Sequence, residues 1–130
     1  MQRIHDNDSA IESEIQAKGL TAPRITPADL AANIASEYYF TGGQGIDGSM
    51  NADPTAPNYC YEKTLDHLTF CVLVLRNGFT VTGESACASP KNFDAEIGRK
   101  IARANAVNKV WTLMGYALKQ KLHDATPAVE

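Results

Sequence analysis

The sequence predicts an α+β domain: a small antiparallel sheet built on a β-hairpin, packed with N-terminal helices and a long C-terminal helix. Three observations carry this. Asn77-Gly78 stands between two runs of strand-forming residues, two earlier segments open on helix-capping signals, and the segment after the hairpin repeats apolar residues at three-and-four spacing. With 130 residues, 44% hydrophobic and 21% charged, the chain has the size and balance of one domain that buries its own core, so 1–130 reads as a single unit.

Residues 8–40 form the helical N-terminal part. Ser9 with Glu12 is a capping-box pattern, Ile11 and Ile15 share a face, and Gly19 is placed to end that helix. Thr26-Pro27-Ala28-Asp29 supplies a second start, an N-cap followed by proline at the first helical position, and Leu30, Ile34 and Tyr38 continue one apolar stripe. Residues 41–58, TGGQGIDGSMNADPTAPN, show neither period and are expected to be a flexible loop; the glycines lack the Gly-Lys-Ser/Thr ending of a phosphate loop.

Residues 59–88 carry the sheet. The runs His67 to Arg76 and Phe79 to Ser85 flank Asn77-Gly78, which suits a type I′ turn. That turn pairs Arg76 with Phe79, Val74 with Val81 and Val72 with Gly83. It thereby places Val72, Val74 and Val81 against the long helix, and Cys71, Leu73 and Leu75 on the opposite face. The first strand is apolar on both faces and should be central, with Tyr59-Cys60-Tyr61 as a candidate third strand. Residues 89–122 are helical: Ser89-Pro90 and Asn92 open the helix, and Phe93, Ile97, Ile101, Ala104 and Val107 or Asn108 follow its buried face. A break is expected around Trp111 to Gly115, with a shorter helix from Tyr116 to Leu122.

A net charge of −3 argues against general affinity for a nucleic acid polymer. The three cysteines, Cys60, Cys71 and Cys87, form no C-x-x-C pair and suggest neither zinc nor disulfides, hence a reducing cytosol. No segment reads as a signal peptide, and the longest apolar run, Phe70 to Leu75, is too short for a bilayer, so a cytoplasmic protein with no membrane partner is expected. Catalytic material is thin. His67 has no nucleophile in a recognisable turn beside it, Asp94 and Glu96 fit the first turn of a helix, and no metal or cofactor motif occurs. No catalytic residue, metal or cofactor is therefore expected, and binding is favoured over catalysis. The feature that points to a ligand is Arg99 and Arg103, one helical turn apart, with Asn92 at the helix start, a pattern suited to holding an anion.

The stretches KGLTAPRITPADL (Lys18 to Leu30), LTFCVLVLRNGFTVTGESACASPKNFDAEIGRKIARANAV (Leu68 to Val107) and KVWTLMGY (Lys109 to Tyr116) resemble a family of small tailed-phage and prophage proteins. The same pattern is similar to the first class of Thoeris anti-defence proteins, sponges that sequester cyclic ADP-ribose signals and in some members cyclic oligonucleotides. The chain departs from it at Thr112, where W-P-L-x-G-Y would carry proline, and in the glycine-rich stretch 42–58. The resemblance implies a homo-oligomer in the cytosol of an infected or lysogenic bacterial host. It would bind a cyclic nucleotide signal molecule without cleaving it, in pockets at subunit boundaries. Among residues of the matched stretches, Arg24, Arg99 and Arg103 are expected to face phosphates, Asn92 to hydrogen-bond and Phe79 to stack on the base. The competing expectation is a phage protein that binds a host protein through the exposed sheet face.

Overall fold

The computed structural model describes residues 3–53, 55 and 60–127. The chain runs α1 (Arg3–Ala17), α2 (Pro27–Asn33), β1 (Ile34–Thr41), α3 (Gly42–Asn51), a 3₁₀ turn (Lys63–His67), β2 (Leu68–Leu75), β3 (Thr80–Ala86), a second 3₁₀ turn (Pro90–Asn92) and α4 (Ala95–Ala125). The α+β class holds. The three strands form one antiparallel sheet in the order β1-β2-β3, with the doubly apolar β2 in the centre as its sequence requires.

The hairpin exists, but its register differs from the expected one by a residue. Of Asn77 and Gly78 only Gly78 takes positive φ, at +87°, while Gly78 N donates to Leu75 O and Leu75 N to Phe79 O. Arg76, Asn77 and Gly78 therefore make a three-residue loop of the type I plus bulge kind rather than a two-residue type I′ turn. One extra loop residue exchanges the faces of the strand. Leu73 pairs with Val81, Cys71 with Gly83 and Val74 with Thr80, so Cys71, Leu73, Leu75 and Val81 are buried under α4, and Val72 and Val74 lie on the other side, half-buried.

The third strand is β1, not Tyr59-Cys60-Tyr61; Tyr59 lies outside the described residues, and Cys60 and Tyr61 form no strand. The helix opened by Thr26 stops at Asn33 instead of running through Tyr38. Its capping box is as read, Thr26 Oγ1 accepting from Asp29 N and Asp29 Oδ2 from Thr26 N. The i, i+4 spacing of Leu30, Ile34 and Tyr38 was coincidental, because Ile34, Tyr38, Tyr39, Phe40 and Thr41 are strand formers and β2 offers them an unpaired edge. Pairing with β2 shows a register irregularity between Ile34 and Ser36, where the chain leaves α2. The guanidinium of Arg76 donates to the Ala32 carbonyl and Arg76 N to Asn33 O, tying the hairpin loop to the end of α2.

Residues 42–51, expected to be flexible loop, form α3. Thr41 and Gln44 make a second capping box: Gln44 N donates to Thr41 Oγ1 and Thr41 N to Gln44 Oε1. Gly43 earns its place by contact rather than by freedom. A Cβ there would fall on the Asp66 carboxylate, which accepts from the Tyr61 hydroxyl at 2.9 Å. The helix therefore tolerates Gly42 and Gly43, a glycine costing about 1 kcal/mol of propensity, because its first turn must lie close on the 3₁₀ turn.

Helix α4 begins at Ala95, capped by Asp94 whose Oδ1 accepts from Ile97 N; Ser89, Pro90 and Asn92 belong to the preceding 3₁₀ turn. It runs unbroken through Trp111 and Gly115, because one exposed glycine costs too little to interrupt a long helix. Its buried face is also rotated from the expected one. Ala104 and Val107 are buried as expected, but the other buried positions are Gly98, Ala102, Ala106 and Val110, whereas Ile97 is 47% exposed. Small residues win because α4 crosses β3 at Gly83, where a Cβ would fall on the Ala102 carbonyl oxygen and the Ala106 amide nitrogen. The core comprises Leu30, Cys71, Leu73, Leu75, Val81, Ala102, Ala106, Val107 and Val110. Lys109 Nζ to Thr82 O (2.6 Å) and Asn105 Nδ2 to Glu84 O (2.8 Å) pin the helix along β3.

Candidate functional site

A row of hydroxyl side chains crosses one end of the sheet beneath the start of α4. Thr41 pairs with Thr69, and Thr69 with Ser85, so all three project to the helix side. Here the helix begins rather than crosses, leaving a cavity of about 220 Å³ lined by Tyr39 and Thr41 of β1, Gln44 of α3, Thr69 of β2, Phe93 just before α4 and Arg99 within it. No carboxylate, imidazole or thiol lines it.

Two features mark the cavity as unfinished. Thr69 is 3% exposed, and its Oγ1 is the one buried side-chain polar atom without a hydrogen-bond partner among the described residues. Leaving a buried hydroxyl unpaired costs about 1–3 kcal/mol. Gly98 closes against it, since a Cβ at that position would lie 2.9 Å from Thr69 Oγ1. Arg99, for its part, makes no hydrogen bond or ion pair among the described residues and lines the cavity. The neighbouring acids are occupied elsewhere: Asp94 caps Ile97 N, and Glu96 pairs with Lys100 at 3.3 Å.

The structure brings few of the expected site residues together. Arg103, one turn beyond Arg99, donates Nε to Glu37 Oε2 at 3.2 Å, and Glu37 Oε1 accepts from the Tyr39 hydroxyl at 2.9 Å. This network backs one wall of the cavity and, together with burial as the leading cause, pushes the Tyr39 phenol above its usual range. Burial likewise raises the thiol of Cys71 on the neighbouring row. Asn92 is exposed on the 3₁₀ turn, next to Phe93, whose ring meets His67 at 5.0 Å. Phe79 is 55% exposed at the hairpin loop, beside Lys109 and Leu113. It lies at the opposite end of the sheet from Thr69, roughly 20 Å away at the usual rise of a strand.

Arg24 sits apart again, in a groove with Ile11, Ile15 and Trp111. Its Nη1 and Nη2 hold both oxygens of Glu12 at 2.6 and 2.7 Å, a bidentate clamp between α1 and the start of α2. The clamp lowers the Glu12 carboxyl from 4.5 to about 2. A depressed carboxylate stabilises the folded arrangement above its unfolded pKa and loses that contribution as pH falls through the folded one. We expect Trp111 emission, which reports the groove, to shift between pH 4.5 and about 2 as α1 loosens. In Glu12→Gln that step should be absent. An unchanged titration in the variant would show that the clamp does not hold α1.

Thr69, Thr41 and Gln44 were missed by sequence reasoning. Thr69 was visible as the hydroxyl inside the otherwise apolar LTFCVLVL, and Thr41 with Gln44 as a Thr-x-x-Gln capping box. Among the described residues no group of His, Cys, Asp and Glu could hold a metal, and no helix is long and apolar enough to cross a membrane.

Fold and cavity together define a small α+β protein with a donor-lined pocket between a three-stranded sheet and its covering helix. Residues 25–122 match the Phage protein (N4 Gp49/phage Sf6 gene 66) family, and the chain belongs to that family. Comparison with curated proteins and with solved structures returns no match.

Proposed function

We propose that this phage protein is a non-enzymatic sponge that binds and sequesters a cyclic nucleotide immune signal, of the cyclic ADP-ribose type or a cyclic oligonucleotide. The observation that carries this reading is Arg99, without a hydrogen bond or ion pair among the described residues, at a cavity walled by Tyr39 and Phe93. A cation beside aromatic rings suits a ligand with phosphates and bases. The lining offers donors to hold an anion and no carboxylate or imidazole to activate water, which supports binding rather than cleavage. At about 220 Å³ the cavity is below the roughly 300–1,000 Å³ of pockets that enclose a whole ligand, so a second copy of the chain would complete the site.

The test is incubation with a panel of cyclic ADP-ribose isomers and cyclic di- and trinucleotides, then heat denaturation and chromatography of what is released, with light scattering on the same sample. The expected result is intact recovery of one class by an oligomer. Release of a converted product would make the protein an enzyme. No retention would favour a second reading, supported by the sheet face away from α4: Tyr38 is 58% exposed there, beside half-buried Val72 and Val74. That face would then dock a host protein.

A further inference from the structure

We infer that the inner end of the cavity is a phosphoryl cradle in which the hydroxyl of Thr69 is the residue that reads the ligand. The inference rests on the binding reading above and deepens it. A buried hydroxyl without a partner is either a stability defect or half of a hydrogen bond whose other half arrives with a ligand. Position favours the second. Thr69 lines the cavity that Arg99 faces, and Gly98 lets the first turn of α4 close over the hydroxyl without touching it through a side chain.

The polar groups around it each have a donor to offer. Thr41 Oγ1 already accepts from Gln44 N, which leaves its proton to donate, and Gln44 Oε1 already accepts from Thr41 N, which leaves its amide NH₂ to donate. The first amides of α4, at Ala95 and Glu96, have no acceptor within the helix. Thr69 can donate as well, and Arg99 adds a cation. Such a set is rich in donors and its lining holds no carboxylate, so it favours an oxyanion with several oxygens over a neutral sugar or base. A tetrahedral phosphoryl group, free or carried by a nucleotide, has that chemistry, and it fits the cavity where a whole dinucleotide does not.

The probe is inorganic phosphate, titrated into the full chain by calorimetry and phosphorus NMR, with adenosine monophosphate and adenosine as further arms. Wild type and Thr69→Ser, which keeps the hydroxyl, should both bind phosphate saturably. Thr69→Val should bind it at least about tenfold more weakly, the loss expected of one hydrogen bond to a charged group. Thr69→Val should also melt no lower than the wild type, because it removes a buried polar atom that has no partner among the described residues. A lower melt with unchanged binding would make the hydroxyl structural and overturn the cradle. Adenosine binding that phosphate does not compete with would also overturn it, as would equal phosphate binding by the valine variant. The two readings fail separately. Retention of a cyclic nucleotide undiminished by Thr69→Val leaves the sponge standing without the cradle, and hydroxyl-dependent phosphate binding without retention of any cyclic nucleotide leaves the cradle without the sponge.

Discussion

Replacing Gly83 with alanine is expected to lower the melting temperature by roughly 10 °C, the shift that about 3 kcal/mol produces in a domain of this size. A Cβ at Gly83 would be driven into the Ala102 carbonyl oxygen and the Ala106 amide nitrogen, with Ala106 Cα at 2.9 Å. These are backbone atoms of a packed helix, so no side chain can rotate away. Relief requires α4 to lift off β3, loosening the contacts of Ala102 and Ala106 with the core and the bonds from Lys109 and Asn105 to the β3 carbonyls. Overpacking of well-packed cores typically costs about 1–3 kcal/mol, and a clash of main chain with main chain belongs at the upper end. Gly115→Ala in the same helix supplies the control. Nothing lies within 4 Å of that Cβ, and an interior helical glycine gives way to alanine with a gain of about 0.5–1 kcal/mol. Thermal denaturation of both variants checks the pair. Equal melts would mean that α4 does not rest on β3 through Gly83.

The same close approach explains what the sequence could and could not disclose about the fold. The class, the central position of β2, the cap at Thr26 and the existence of the hairpin were all readable, because each depends on residues near one another in the chain. The faces of β2 were not. Cys71, Leu73 and Leu75 alternate with Phe70, Val72 and Val74, both sets are apolar, and one residue of loop length decides which set meets the helix. On α4 the large residues Ile97 and Ile101 outweighed Gly98 and Ala102 in any reading by hydrophobicity. The deciding constraint, Gly83, lies in a different strand. Strand β1 and helix α3 failed for a related reason. Ile34 and Tyr38 satisfied a helical spacing until β2 was present to pair with them, and Gly42 and Gly43 at the start of α3 look like loop until Leu65, Asp66 and Tyr61 are packed against them.

The candidate site was legible in its charge and not in its partners. Arg99 and Arg103 were equivalent by spacing, and only the tertiary arrangement gives Glu37 to one and leaves the other unpaired among the described residues. Arg24 read as a free cation because Glu12 is twelve residues away, on α1. Thr69 looked like an ordinary strand residue. Its significance depends on whether a partner is present, which no local pattern records.

Arg99→Ala is therefore expected to weaken capture of a cyclic ADP-ribose-type signal at least about tenfold, the loss that follows when one charge-assisted bond of about 1.5–3 kcal/mol is removed. Its melt should stay within about 0.5 kcal/mol of the wild type, since the side chain is exposed and supports no other residue. Arg103→Ala should behave differently. It strips Glu37 of its cation and leaves that carboxylate to the Tyr39 hydroxyl alone, in a region where both side chains are partly covered, at 23% and 37% exposure. An ion pair of that exposure is worth about 1 kcal/mol or less, so a small drop in melting temperature is expected, with binding weakened only as far as the Tyr39 wall shifts. Calorimetric titration and a melting curve on each variant separate the two roles. Full loss of binding in Arg103→Ala with an unchanged melt, alongside normal binding in Arg99→Ala, would move the phosphate contact one turn along α4. Glu37 would then be a latch that the ligand must displace, and Glu37→Gln, which removes the opposing charge and keeps Arg103, should in that case bind more tightly than the wild type.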